Sequence, residues 1–307
     1  MATSSPPVNE SNDVIKRVML WVIPRSTSTT FLKCMSYVPD TRAFFEPYLT
    51  VYHYSKYGIH RKNIYEFFNK FQAAGNKDDD EHLRDIEGGY FASETSYSWV
   101  KEQLEGTPPG KKMVICKDLA WAVDGHYEDL PSGFQHTFLI RNPYITFDSW
   151  SNVINRGADD DKKLLLGDIP VFYMPEGSFY KEQYDLYKYA KDTLGQNPPI
   201  VDTDELLANP AGVMKAYCKV IGVPYSDDYL HWEPGNECME KLWIVAKEQI
   251  YSQQYGNVWH GVTFSSTGFG NPKKSRDRQE LPRDVLHYAD LNMKYYEEMY
   301  ANRLKPL

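Results

Sequence analysis

The sequence is poor in the features that mark secreted, membrane-spanning and nucleic-acid-binding proteins. Its four cysteines are widely spaced and form no CxxC pair, which argues against a zinc site or a disulfide framework. The N-terminus lacks the apolar stretch of a secretory signal, and the apolar run at 18–23 is too short to span a membrane. A net charge of −8 argues against a general nucleic-acid binder. We therefore expect a reduced, cytoplasmic protein that binds neither nucleic acid nor membrane.

The chain nevertheless has ample material for a packed core. It contains 307 residues, of which 42% are hydrophobic and 15% aromatic, with 24 tyrosines among them. This length suits one large α/β domain. We predict a flexible N-terminus at 1–15 and a single domain at 16–307. The abundance of tyrosine is typical of packed cores and interfaces, and also of pockets for amphipathic ligands.

The most informative stretch lies at 17–32. Residues 18–23 are apolar without interruption, which indicates a strand buried on both faces. Five hydroxyl residues follow at 26–30, and then apolar residues at helical spacing. A strand, a polar turn and a helix N-terminus form a geometry that binds anions through free N–H groups. The hydroxyl groups could instead merely cap the helix, but Arg25 adds a cation beside the same turn.

The rest of the chain alternates strands with helices. Short apolar runs predict further strands at 43–45, 113–116, 137–140 and 199–202. Helical patterns lie between them, among others at 63–74 and 180–194, whereas 49–58 could be a loop or a frayed helix. This alternation predicts an α/β fold of three layers, with a mainly parallel central sheet flanked by helices.

Three of these strands are followed closely by a basic residue. Arg25, Lys117 and Arg141 come after the first strand and the strands at 113–116 and 137–140. In an open parallel sheet, ligands bind at the carboxyl ends of the strands. Three cations at that edge of an acidic protein predict an anionic ligand.

A glycine-rich segment at 106–112 invites comparison with the phosphate loop of kinases. Its GTPPGKK sequence is one residue short of that motif, and a strand follows where a helix is required. We interpret it as a turn, which disfavours a small-metabolite kinase.

Two sequence motifs of this chain resemble those of sulfotransferases that use 3′-phosphoadenosine 5′-phosphosulfate (PAPS). PRSTSTT at 24–30 resembles the PRSGST loop of that family, and FLIRNP at 138–143 resembles its second motif, with Ser149 eight residues after Arg141. The resemblance covers about residues 17–155 and departs from the family pattern at Thr27, where glycine is usual. It implies a P-loop-like nucleotide-binding fold, with PAPS as cofactor and 3′-phosphoadenosine 5′-phosphate (PAP) as product.

The resemblance also implies roles for individual residues. Arg141 and Ser149 would hold the 3′-phosphate. The family's RKGxxGDWK motif is absent, and the segment at 268–274 could replace it, with Thr267 and Lys273 as late phosphate ligands. The loop that would hold the 5′-phosphosulfate consists of Arg25, Ser26, Thr27, Ser28, Thr29 and Thr30.

The same resemblance implies catalytic roles for two residues. The spacing from Arg25 to Glu46 resembles that of the tyrosylprotein sulfotransferase branch, where a glutamate is the base, and Lys117 resembles that branch's lysine near the sulfuryl group. His53, in a tyrosine-rich segment, is the other candidate base. Cationic side chains would stabilise the charge, so no metal is expected.

The implied activity is sulfuryl transfer from PAPS to a hydroxyl of a small-molecule acceptor, by in-line displacement with a carboxylate base. The acceptor would bind among tyrosines at 48–57 and an insertion after residue 155. Two alternatives remain: a catalytically inactive relative that binds PAP or PAPS, and a small-metabolite kinase. A homodimer is also left open.

Overall fold

The fold is built on a six-stranded sheet in which every neighbouring pair is parallel, in the order β5-β4-β1-β3-β2-β6. The computed structural model describes residues 14–55, 62–63, 66, 81–156, 159, 163–256, 260–272 and 276–307. The α/β prediction with a mainly parallel sheet is confirmed. The strands are β1 (Lys16–Val22), β2 (Thr41–Phe45), β3 (Met113–Asp118), β4 (Gln135–Ile140), β5 (Ile200–Asp202) and β6 (Trp243–Ile244).

Helices connect these strands and cover the sheet. β3 is buried along its whole length, and β1 and β4 along most of theirs, as expected for parallel strands with both faces covered. The helices are α1 (Ser28–Met35), α2 (Pro47–Tyr54), α3 (Tyr97–Glu105), α4 (Pro143–Ile154), α5 (Tyr180–Lys188), α6 (Thr203–Ala208), α7 (Pro210–Ile221), α8 (Lys247–Gly256), α9 (Gly261–Phe264) and α10 (Arg283–Ala301).

The register of the central strands brings the predicted cations to one edge. β1 lies between β3 and β4, with Trp21 opposite both Asp118 and Phe138. The three strands therefore end at nearly the same level, and the chain segments that leave them begin side by side. This alignment places Arg25 and Arg141 on adjoining connections, next to the end of β3.

Some helical segments differ from their predictions. The segment at 49–58 was ambiguous between a loop and a frayed helix, and its first part belongs to α2, whose first residue is Pro47. The predicted helix at 180–194 is α5 followed by a π-helical turn, Tyr189–Thr193. The predicted helix at 63–74 falls almost wholly outside the described residues, as do residues 1–13 of the predicted N-terminal segment.

Among the helices of the described ranges, none is long and apolar enough to cross a membrane. The four cysteines are buried as free thiols.

Candidate active site

A cavity of about 300 Å³ opens at the carboxyl edge of the sheet. This volume is at the lower end of the usual range for ligand sites. The cavity brings together most of the residues that the sequence singled out, although they are up to 124 positions apart. The predicted site residues that line it are Arg25, Thr27, Ser28, Thr29, Thr30, Glu46, His53, Lys117, Arg141 and Ser149.

The hydroxyl-rich loop enters α1 through an irregular backbone. Arg25 and Thr27 both adopt the left-handed conformation, with φ of 67° and 63°. This conformation is strained for a β-branched residue such as Thr27, and strain of this kind is concentrated at functional sites. Thr27 is the N-cap of α1, and no side-chain cap hydrogen bond is made there within the described chain. The first N–H groups of α1 are therefore left for a ligand.

Two arginines meet beside this loop. Arg25 Nε donates to Ser149 Oγ at 3.3 Å, and Arg141 Nη1 donates to the carbonyl oxygen of Arg25 at 2.7 Å. Burial, together with repulsion from Arg141 and Arg156, lowers the pKa of Arg25 to about 10. Like charges this close favour the binding of an anion, which would relieve their repulsion.

A buried ion pair occupies the centre of the cavity wall. Lys117 Nζ donates to Glu46 Oε1, and the second carboxylate oxygen, Oε2, accepts a hydrogen bond from Gln249 Nε2 at 3.2 Å. Lys117 also lies over the ring of Phe45, with its Nζ 4.8 Å from the centroid. Glu46 has φ of 52°, so it is the third residue of the cavity wall, after Arg25 and Thr27, to adopt the left-handed backbone conformation. The carboxylate and the ammonium predicted for catalysis are thus in direct contact.

Asp118, the residue after Lys117, is fully buried behind this pair. Its carboxylate accepts three backbone hydrogen bonds, from Tyr48, Leu49 and Leu119. Burial, and then the negative charge of Glu46, raise its pKa to about 8, against the opposing effect of these N–H donors and of Lys117.

Another part of the cavity lining is aromatic. His53 stacks on Tyr173, with centroids 5.8 Å apart and planes at 12°, and its Nε2 lies 2.9 Å from the carbonyl oxygen of Phe172. Trp121 and Phe179 continue this wall, 6.2 Å apart between centroids. The second candidate base is therefore held in an aromatic cluster by a backbone carbonyl.

The structure adds residues that the sequence did not reveal. His260 Nδ1 lies 3.2 Å from Thr29 Oγ1, and Thr263 Oγ1 lies 3.1 Å from Thr30 Oγ1. Burial and the positive charges of Lys117 and Arg25 hold the pKa of His260 well below its usual value, so the imidazole is neutral. No motif surrounds these residues or Gln249, so no sequence signal pointed to them.

Two predicted ligands are outside the lining of this cavity, and a third is not described. Ser26 does not line the cavity, and its hydroxyl donates to the carbonyl oxygen of Ile23 at 2.6 Å. Thr267 is exposed and lines a second cavity, next to α6 and α7. Lys273 lies outside the described residues. Residues from the same glycine-containing segment do reach the main cavity, namely Gly268, Gly270 and Asn271.

Comparison with known proteins gives distant relatives. No family model matches the chain. Two curated proteins of Arabidopsis thaliana are similar, the branched-chain-amino-acid aminotransferase-like proteins 2 and 1, at 25% identity over 269 residues and 24% over 255 residues. These alignments cover 87% and 83% of this chain. The chain spans only 38% and 36% of the length of these relatives, so their names refer to much longer proteins of which it matches one part.

Solved structures show a looser likeness. The sulfotransferase domain of the Synechococcus PCC 7002 olefin synthase has 14% identity and a TM-score of 0.48, with 95% of this chain and 96% of that chain covered. A retinol dehydratase in complex with retinol and PAP has 12% identity and a TM-score of 0.45, with coverages of 95% and 83%. The fold assignment rests on the sheet described above and not on these matches.

Proposed function

We propose that this protein transfers a sulfuryl group from PAPS to a hydroxyl group of a small-molecule acceptor. The observation that carries the proposal is a single cavity lined by two sets of donors suited to anions and by a buried Glu46–Lys117 pair. The first set is the α1 N-terminus with Arg25, and the second is Arg141 with Ser149.

The donor groups fit a nucleotide with phosphates at both ends of its ribose. Hydroxyl groups and free N–H groups at the start of α1 would hold the 5′ side, where a helix N-terminus favours negative charge. Arg141 would hold the 3′-phosphate. Its Nε forms an ion pair with the Asp204 carboxylate at 3.5 Å, and its guanidinium lines the cavity. A guanidinium held at a cavity wall is suited to bind a phosphate oxygen.

PAPS, when bound, supplies an activated sulfuryl group and leaves as PAP. The residues of this chain then have two tasks, because sulfuryl transfer, like phosphoryl transfer, depends mainly on positioning and charge stabilisation. Glu46 would accept the proton of the acceptor hydroxyl at its carboxylate, while Gln249 keeps Oε2 in place. Lys117 would stabilise the negative charge that develops on the departing phosphate.

The aromatic wall suits a small acceptor with an apolar body. Leu49, Tyr54, Trp121, Tyr173 and Phe179 line the cavity on the side of His53. Such side chains would exclude water and leave the acceptor hydroxyl as the polar group to be recognised. Pockets of this composition bind flat, amphipathic molecules well, and phenols and hydroxysteroids belong to that class.

A protein that binds PAP without catalysis is the second candidate. It is favoured by the Glu46–Lys117 contact, because each group is occupied by the other in the described conformation. In the proposed enzyme, the negative charge of the nucleotide would compete for Lys117 and weaken that contact.

Two measurements test the proposal. A thermal-shift assay with PAP should show stabilisation greater than with adenosine 5′-monophosphate, which lacks the 3′-phosphate. Transfer of labelled sulfate from PAPS to a panel of phenols, steroids and alkyl alcohols should label at least one acceptor. Stabilisation by PAP with no labelled product across the panel favours the binding protein. Equal shifts with the two nucleotides contradict the two-phosphate site.

A further inference from the structure

The helix that carries Glu46 is capped in an unusual way. Glu46 is the N-cap residue of α2, a position where carboxylates commonly accept hydrogen bonds from the first N–H groups. Within the described chain, the Glu46 side chain makes no such bond, and it points instead to Lys117 and Gln249. Pro47 has no N–H group, so the donors that need a partner begin at Tyr48.

Asp118 supplies the missing cap from another strand. Its Oδ2 accepts from Tyr48 N at 2.6 Å, and its Oδ1 accepts from Leu49 N at 3.2 Å. Oδ1 also accepts from Leu119 N at 2.8 Å, which fixes the orientation of the carboxylate. Asp118 is fully buried at the end of β3, so this cap is attached to the rigid centre of the sheet.

The backbone of Glu46 is fixed from the same strand. Glu46 N donates to the carbonyl oxygen of Lys117 at 2.8 Å, and Thr50 Oγ1 donates to the carbonyl oxygen of Glu46 at 2.9 Å. These bonds hold Glu46 in the left-handed conformation, which a glutamate adopts rarely. Because successive strand residues point to opposite faces, Lys117 can meet the carboxylate while Asp118 reaches the helix.

We propose that Asp118 is a positioning residue: it caps α2 in place of Glu46 and thereby leaves the Glu46 carboxylate available for proton transfer. The inference rests on the proposed function, in which Glu46 is the base. It assigns to Asp118 an effect on turnover and none on nucleotide binding, because Asp118 does not line the cavity.

The test compares Asp118→Asn and Asp118→Ala with a matched cap variant, Asn209→Ala. Asn keeps one acceptor oxygen and presents an amide NH₂ to the remaining donors, whereas Ala keeps no acceptor. Asn209 caps α7 by accepting from Gly212 N at 3.0 Å, so its loss removes a helix cap outside the cavity. Thermal unfolding establishes which variants fold, and Asp118→Asn alone decides the outcome if Asp118→Ala does not.

We expect turnover with the best acceptor of the panel to fall about 10-fold in Asp118→Asn and about 100-fold in Asp118→Ala, since small displacements of catalytic groups have effects of this size. The KM for PAPS and the Kd for PAP should stay within about two-fold, because the phosphate ligands are untouched. Asn209→Ala should retain the wild-type turnover while its melting temperature falls. Wild-type turnover in both Asp118 variants, or a parallel loss in Asn209→Ala, would overturn the inference.

Hydrogen exchange separates this inference from the proposed function. In both Asp118 variants, peptides covering 46–55 should lose amide protection, and in Asn209→Ala they should not. This measurement needs no acceptor, so it also judges the capping role if the wild-type protein transfers no sulfate. Unchanged protection in the Asp118 variants refutes the cap whatever the enzyme does, whereas lost protection with an inactive wild type contradicts only the proposed activity.

Discussion

The two sides of the cavity are built in different ways. The cationic side consists of Arg25, Lys117, Arg141 and the first turn of α1, and each of these residues lies at or just beyond the end of a central strand. The aromatic side consists of Trp121, Trp150, Tyr173 and Phe179. Tyr173 and Phe179 come from the irregular segment between α4 and α5, and Trp121 comes from a short 3₁₀ turn after β3.

This difference separates what the fold determines from what packing determines. Strand order and register determine where the cations lie, because each cation is at or just beyond the end of a central strand. The aromatic residues are placed by contacts among side chains of connecting segments, which are free to differ between related proteins. We therefore expect the cationic side to govern the nucleotide and the aromatic side to govern the choice of acceptor.

The strongest test acts on Glu46, where the two sides meet. Glu46→Gln should lower turnover about 10²–10⁴-fold, because the amide cannot accept the acceptor proton. The Kd for PAP should remain close to wild type, as measured by calorimetric titration. Glu102→Gln, an exposed change on α3, is the control and should leave both values unchanged. Wild-type turnover in Glu46→Gln would remove Glu46 as the base and return attention to His53.

The next test removes a cation. Arg141→Ala should weaken PAP binding about 10- to 100-fold, since a hydrogen bond to a charged group contributes about 1.5–3 kcal/mol. The KM for the acceptor should change little. Arg278→Ala is the matched control, because this arginine is exposed and pairs with Asp290 at the surface. An unaltered Kd for PAP in Arg141→Ala would refute the assignment of the 3′-phosphate.

A smaller effect is expected on the aromatic side. Trp121→Phe keeps an aromatic ring but reduces the contact area, so the acceptor KM should rise about 3- to 10-fold, in line with the loss of a few apolar groups. Binding of PAP should not change. Trp99→Phe, a half-buried tryptophan that does not line the cavity, serves as the control. A rise in the Kd for PAP instead would show that the two sides are not independent.

The smallest effect concerns the two cavity histidines and pH. The pKa of His260 is lowered in the folded protein, so on acidification below about 6.5 the unfolded chain takes up a proton that the folded protein does not. Stability should therefore fall as pH drops from 6.5 to 5, by at most about 1.4 kcal/mol per pH unit from this group. His260→Gln should reduce this slope, as measured by urea unfolding at several pH values.

Saturation with PAP should reduce the same slope in the wild-type protein, because a bound anion offsets the charges of Lys117 and Arg25. His53→Gln, which removes the histidine of the aromatic side, is the comparison variant. A slope in His260→Gln equal to that of the wild type would contradict the lowered pKa of His260.

The sequence predicted the sheet well wherever a strand is long enough to show an apolar run. β1 to β5 were all anticipated, whereas β6 has only two residues, Trp243 and Ile244, and shows no periodicity. α2 was ambiguous because six of its eight residues are buried, so no polar stripe marks its outer face. Burial on nearly all sides removes the pattern from which an amphipathic helix is identified.

The residues of the candidate site were likewise predictable only where a local pattern in the sequence marks them. Arg25, Lys117 and Arg141 were predicted because each follows a strand, so local order in the chain was enough. Gln249 and His260 were not, because their contacts with Glu46 and Thr29 span 203 and 231 positions and depend on tertiary folding. Ser26 was grouped with the hydroxyl-rich loop by its residue type, whereas its hydroxyl donates to the carbonyl oxygen of Ile23.

The strand order also limits which ligands can contact all three cations. Lys117 lies near the end of β3, and Arg25 and Arg141 follow β1 and β4; these are consecutive strands in the sheet. Neighbouring strands lie about 4.8 Å apart, so the outer two strands are separated by about 10 Å. We expect a ligand that engages all three cations to need negative charge at more than one point. A nucleotide with its charges on opposite sides of the ribose meets that requirement, whereas the contiguous phosphates of a kinase substrate concentrate their charge at one end.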